Sequence, residues 1–148
     1  MNHSEQILFT IGYEGKSIEA FIDSLIKNDV RLLCDVRKNP FSRKPGFSKK
    51  MLEHTTQTAG INYIHIPELG IEREKRNSLK TPEDQQRLFE DYAKSLPDQK
   101  ALLDEVYMLL QSNARIALMC YELKPEMCHR HIIRDYIVEA YKVKSEDL

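Results

Sequence analysis

Short apolar runs alternate along this chain with longer stretches of helical periodicity. Ile7-Leu8-Phe9-Thr10-Ile11 is β-branched and apolar and stops at Gly12. Arg31-Leu32-Leu33-Cys34-Asp35, Ile61-Asn62-Tyr63-Ile64-His65-Ile66 and Arg115-Ile116-Ala117-Leu118-Met119-Cys120 have the same character. Runs of that length and composition, bounded by turn residues, predict four strands, the first of them buried. Between them the apolar spacing is helical. Ser17 is a candidate N-cap ahead of Ile18, Phe21, Ile22 and Leu25, and Ser48 opens a second helix through Met51 and Leu52 to Gly60. Thr81-Pro82-Glu83-Asp84 combines an N-cap, a proline at the first helical position and acids in the first turn, and starts a helix that runs to Ser95. Another follows from Pro97 towards Asn113, and a last one runs from about Pro125 to Tyr141.

Strands alternating with helices, without a tight hairpin signal, predict an α/β fold: a mainly parallel sheet of about four strands with helices on both faces. No repeat or linker divides the 148 residues, so a single domain spanning 1–148 is expected, long enough to bury roughly two-thirds of its unfolded surface. Two connections, Val36 to Phe47 and Pro67 to Lys80, are longer than a crossover needs.

Composition narrows the function classes. Apolar and charged fractions of 41% and 30% are ordinary for a globular protein, and a net charge of −1 recruits no partner by global attraction. No apolar run is long enough to span a bilayer and the N-terminus lacks a basic-then-apolar leader, so no membrane partner and a cytoplasmic location are expected. Three cysteines, Cys34, Cys120 and Cys128, cannot all pair internally, which fits a reducing compartment.

In a parallel sheet the carboxyl ends of the strands share one edge, and the residues after them gather there. That edge would collect Gly12 and Tyr13, Asp35 and Arg37, His65, Cys120 and Glu122, with His129 and Arg130 arriving on the last helix. Asp35 and Arg37 alternate along one strand and can face the same side, either as an ion pair that fixes the loop or as an oriented fork for a carboxylate or phosphate. From Arg37 to Lys50 the chain is basic and carries no acid, with Phe41 and Phe47 interleaved. Such a segment suits nucleotide phosphates and bases, or is a solvated loop whose phenylalanines plug the core.

Cys120 has three readings: a core residue, a thiolate nucleophile, or a metal ligand grouped with Glu122, Cys128 and His129. Adjacent Cys128-His129 and the Cys-x-Glu pair do not match usual zinc-finger spacing, so no cofactor is expected and a divalent metal stands as the alternative. His129 lies four residues before Ile133 and continues the buried face of the last helix to the mouth of the cleft. It is either a satisfied buried histidine or the best general acid or base, with Glu122 next. Gly12-Tyr13-Glu14-Gly15-Lys16 is a glycine-punctuated turn, too short for a phosphate-loop motif.

Together these residues resemble the family of domain of unknown function DUF488. The resemblance rests on Gly12-Tyr13, on Asp35-Val36-Arg37-Lys38-Asn39-Pro40-Phe41-Ser42-Arg43 with Gly46-Phe47, on Leu69-Gly70, and on Cys120-Tyr121-Glu122 with Cys128-His129-Arg130. It implies an α/β fold and a polar site built from Asp35, Arg37, Ser42, Arg43, Cys120, Glu122, His129 and Arg130, and it supplies no reaction. Members of the family often continue into a further short strand with a histidine, whereas this sequence ends at Leu148.

The expected function is a small enzyme acting on an anionic substrate: a nucleotide, a nucleic-acid end or a phosphorylated metabolite. Asp35, Cys120, Glu122 and His129 are the catalytic candidates, and Gly12, Tyr13, Arg37, Ser42, Arg43 and Arg130 the substrate-binding ones. The alternatives are a module that binds single-stranded nucleic acid through the basic loop, and a metal-binding or thiol redox-sensing protein.

Overall fold

The structure is a computed structural model that describes residues 5–148. Five strands, β1 (Ile7–Gly12), β2 (Leu32–Asp35), β3 (Asn62–His65), β4 (Arg115–Cys120) and β5 (Lys144–Asp147), form one all-parallel sheet in the order β3-β2-β4-β1-β5. Six helices connect them: α1 (Ile18–Lys27), α2 (Lys49–Thr58), α3 (Arg73–Asn77), α4 (Pro82–Ser95), α5 (Lys100–Asn113) and α6 (Arg130–Tyr141). Among the described residues no helix is long and apolar enough to cross a membrane. The expectation about an N-terminal leader falls in part on residues 1–4, outside the described residues.

Side-chain alternation along each strand sorts the core into two layers. Ile7, Phe9 and Ile11 of β1, Leu33 of β2 and Met119 of β4 pack with Phe21 and Leu25 of α1 and Leu52 of α2. Leu8, Cys34, Leu118 and Cys120 point the other way and pack with Leu103 and Val106 of α5 and Ile133 and Ile137 of α6. β1 and β4, in the interior of the sheet, are therefore buried at every residue, as a sheet covered on both faces requires.

This layering fixes the site. β1 leads into α1 on one face, and β4 leads into α6 on the other, yet β1 and β4 are neighbours, with Gly12 in register with Cys120. Adjacent strands whose connections leave to opposite faces open a crevice at their carboxyl ends, where ligands bind in open α/β sheets.

Three elements differ from the expectation. The sheet has a fifth strand, and the final residues do form one, without a histidine. Lys144-Ser145-Glu146-Asp147 carries no apolar residue because it is an exposed edge, held by polar contacts. Asp147 accepts hydrogen bonds from Thr10 of β1 and Arg134 of α6, and the Leu148 amide donates to the Thr10 carbonyl at 2.7 Å. The connection from Pro67 to Lys80 is not plain loop: it holds a 3-10 turn, Pro67–Leu69, and α3. The last helix begins at Arg130 rather than Pro125, preceded by a 3-10 turn, Pro125–Met127. The caps at Ser17 and Thr81 form as expected, accepting from Ala20 N and Asp84 N.

The loops after β2 and β3 touch backbone to backbone at Gly70. A Cβ there would lie 2.3 Å from the Lys38 nitrogen. Gly70→Ala should therefore lower stability by about 1–3 kcal/mol, read as a shift of the urea midpoint with unchanged m-value. A variant as stable as the wild type would mean that the two loops separate without penalty.

Candidate active site

The chemistry-bearing residues do not converge on one point. The sheet divides them, because Asp35 and Cys120 follow strand positions of opposite facing.

On the α1/α2 side Asp35 and Arg37 form a buried bidentate pair, Nε to Oδ1 at 2.8 Å and Nη2 to Oδ2 at 2.7 Å. Arg37 Nη1 also donates to the Phe47 carbonyl at 2.7 Å and to the Tyr13 hydroxyl at 3.3 Å, and the Tyr63 hydroxyl donates to Asp35 at 2.5 Å. Tyr13 stacks on Phe47 at 4.5 Å. Burial works against a charged guanidinium, but Asp35 outweighs it and holds Arg37 protonated. With its donors directed at protein acceptors and 5% exposure, Arg37 braces the loop after β2. Ser42 has a similar role: its Oγ accepts from the Lys44 amide, and its backbone is bridged by the Ser48 hydroxyl. Phe47 is the buried plug, whereas Phe41 is 75% exposed beside an exposed Arg43.

On the α5/α6 side Cys120 at the end of β4, Cys128 after the 3-10 turn and His129 at the N-cap of α6 are all buried. Their Sγ, Sγ and Nδ1 atoms lie within 4.8 Å of one another, with Nδ1 3.8 Å from each sulfur. His129 Nε2 lies 2.9 Å from the Val36 carbonyl. A carbonyl only accepts, so Nε2 carries the proton and Nδ1 presents a lone pair to the two thiols. Burial and the neighbouring Cys120 push the Cys128 thiol up, and His129 opposes them in part. Tyr92 of α4 packs edge-on against the His129 ring at 5.5 Å.

Arg130 ties this cluster to the strand ends. Its side chain is fully buried, with Nη1 donating to the Glu122 carbonyl at 2.6 Å and Nη2 to the Leu123 carbonyl at 3.2 Å. Gly12 is required here by contact rather than by a tight turn: a Cβ would meet the Glu122 oxygen at 1.8 Å and Arg130 Nη1 at 3.1 Å. Pairing continues past the strands, from the Tyr13 amide to Cys120 O and from the Glu14 amide to Tyr121 O.

A cavity of about 290 Å³ opens over Cys128 and His129. Glu122 lines it from the loop after β4, and Arg73 and Arg76 line it from α3. Two of these lining residues carry a side-chain atom that is buried without a protein partner, Glu122 Oε2 and Arg76 Nε. Cys120 does not line it, and Glu122 is not part of the donor group with the two thiols and the imidazole, so of the four metal-ligand candidates three are brought together. A larger cavity of about 590 Å³ between Lys38, Ile71 and α4 contains none of the catalytic candidates.

Arg73 and Arg76 were not among the expected site residues. They sit in the Glu72-Arg73-Glu74-Lys75-Arg76 run, where mixed charge reads as a solvated segment. The one available signal was their i,i+3 spacing inside a long connection.

A family model described as "Domain of unknown function DUF488" matches residues 17–137. Gly12, Tyr13 and β5 lie outside that span. No curated protein and no solved structure matches the chain.

Two outcomes follow for β2 and the residues around it. Arg37→Ala strips a buried carboxylate of its partner and should cost about 3–5 kcal/mol in urea unfolding, while Arg43→Ala stays within about 0.5 kcal/mol. Equal effects would show that Arg37 is not the brace described. Burial and the Asp35 charge push the Cys34 thiol up to about 12 from 9.0. The Tyr63 hydroxyl is also raised, by burial first and then by Asp35. Folding thus favours the neutral forms. Their contribution is complete below the unfolded thiol's pKa and is lost as pH rises towards the folded value, so stability should fall between about pH 9 and about pH 12. Cys34→Ala should flatten that fall in urea titrations at stepped pH.

Proposed function

We propose that this chain, which belongs to the DUF488 family of domains of unknown function, is a small enzyme acting on an anionic substrate in the cleft over Cys128 and His129. The observation that carries the reading is the pair of unpartnered buried atoms, Glu122 Oε2 and Arg76 Nε, on residues that line one cavity. A buried polar atom without a partner in a native fold calls for an explanation, and a bound polar molecule is one. A guanidinium donates in a fork that suits a phosphate or carboxylate, and a carboxylate beside it can take a proton from a water or hydroxyl of the same molecule.

The roles are revised accordingly. Arg76, with Arg73 on the preceding turn, receives the anion, while Arg37 and Arg130 hold the loops that shape the cleft. Glu122 moves the proton. Cys120 stands behind Cys128 and His129, so the nucleophile is a group of the substrate or a water rather than this thiol. Asp35 acts through Arg37 and does not reach the cleft.

The exposed Phe41 beside Arg43 favours a second reading, in which single-stranded nucleic acid stacks on the basic loop. The two are separated by where the binding is lost. Inorganic phosphate, nucleoside mono- and triphosphates and short single-stranded oligonucleotides are titrated by calorimetry, and turnover is followed by product release. Arg76→Ala should weaken binding at least about tenfold. Glu122→Gln should leave binding within about threefold and lower turnover by about 10²–10⁴. If both variants bind and turn over like the wild type, the cleft is not the site. Salt-sensitive oligonucleotide binding lost only in a Phe41→Ala, Arg43→Ala variant would establish the second reading instead.

A further inference from the structure

We infer that Cys120, Cys128 and His129 bind a zinc ion at the floor of the cleft, with the fourth coordination position left to a water or substrate oxygen. The inference deepens the proposed function, on which it rests for the nature of that fourth ligand, but the ion's own site stands on separate residues.

The donor set is the first argument. Two sulfurs and one imidazole nitrogen suit zinc, which takes thiolate at about 2.3 Å and imidazole at about 2.0–2.1 Å in a tetrahedron. Those bond lengths place a sulfur and a nitrogen about 3.6 Å apart across a shared ion. His129 Nδ1 lies 3.8 Å from each sulfur, so three donors already stand near the corners of one coordination polyhedron.

The tautomer is the second. A ligating histidine ordinarily donates its other ring nitrogen to a carbonyl or carboxylate, which fixes the ring and frees the lone pair. His129 does this through Nε2 to the Val36 carbonyl at 2.9 Å, from a strand end rather than a mobile loop.

Backbone geometry is the third, and it answers the objection from spacing. Two consecutive residues of a regular helix point about 100° apart and cannot share an ion. Cys128 is extended (φ −131°, ψ 145°), and His129 is helical (φ −63°, ψ −17°). The break between them turns both side chains to the same point, where Cys120 arrives from β4.

Hydrogen bonding alone leaves this cluster incomplete. One lone pair on Nδ1 accepts a single thiol proton well, so the second thiol of the buried pair is left with the other sulfur, a weak acceptor. An ion bound with loss of the two thiol protons satisfies all three groups and leaves no net charge from the dithiolate. Three protein ligands with an open fourth position is the arrangement of catalytic rather than structural zinc. Glu122, lining the same cavity, is placed to act on a molecule bound there.

The test uses the full chain, reduced and purified without chelator. Elemental analysis should give one zinc per chain, and metal-stripped protein should take up one equivalent of zinc in competition with a chromophoric chelator. Alkylation mapped by peptide should be slow at Cys120 and Cys128 until a strong chelator is added, with Cys34 indifferent to the chelator. Cobalt in place of zinc should give a thiolate charge-transfer band, absent in Cys128→Ser. Because a core cysteine variant can unfold, the wild-type alkylation result decides alone if that variant is insoluble. No chelator-dependent protection, a Cys120–Cys128 disulfide under these conditions, or zinc retained undiminished by folded Cys128→Ser would each overturn the inference. Glu122→Gln and Arg76→Ala should keep the full zinc content. Absent metal with Arg76-dependent anion binding intact would remove the ion and leave the proposed function; bound metal with binding indifferent to Arg76 would do the reverse.

Discussion

The carboxyl edge of this sheet is built around one buried guanidinium. Arg130 is fully enclosed, and its two Nη groups hold the Glu122 and Leu123 carbonyls against the end of β1. Those carbonyls belong to the loop that leaves β4, and Arg130 itself opens α6. One side chain thereby sets the distance between the last strand of the core and the helix that follows it. Only a glycine at position 12 leaves room for that approach. Nη1 and Nη2 find carbonyl acceptors while Nε is buried without a protein partner, so the cost of burying this charge is compensated only in part, by the turn that leaves β4. That turn sets Cys128 and His129 beside Cys120 and Glu122 over the same floor.

The sheet then separates two kinds of chemistry. Asp35 and Arg37 face α1 and α2, where Tyr13, Phe47 and Tyr63 complete a closed network. Cys120 faces α5 and α6 with Cys128 and His129. The two sides communicate through the backbone at Val36. Its carbonyl accepts from His129, and its chain neighbours, Asp35 and Arg37, form the ion pair. The brace on one face therefore orients the imidazole on the other. Rigid placement of this kind is what a ligand-holding imidazole needs, since a loosely held ring would sample both tautomers and several rotamers.

The mouth of the cleft is less constrained than its floor. α3 is five residues long, and its residues are exposed or half-buried. Its Arg73 and Arg76 line the same cavity as Glu122. Under the proposed function, a short element carrying the anion-receiving arginines over a floor fixed by strand ends would combine adaptability towards the substrate with a stationary reactive centre. Chemistry of that type concentrates on loops positioned by a rigid scaffold.

The alternation of apolar strands and amphipathic helices was legible in the sequence because both periodicities arise from burial on a covered parallel sheet, and burial is what single residues report. β5 was not legible. An edge strand carries polar residues, and its pairing is held by Thr10 and Arg134, which lie far from it in the chain. The same limit applies to the site. That Cys120, Glu122, Cys128, His129 and Arg130 lie near one strand edge follows from their order along the chain. Whether Arg37 and Arg130 face a ligand or the protein does not, since a guanidinium's role depends on which acceptors surround it. The sequence by itself determined the class of fold and the neighbourhood of the chemistry, through local patterns of polarity. Tertiary structure alone decided the face each group occupies, the tautomer of His129 and the position of α3 at the cavity over Cys128 and His129, because these depend on contacts between residues that no local pattern connects.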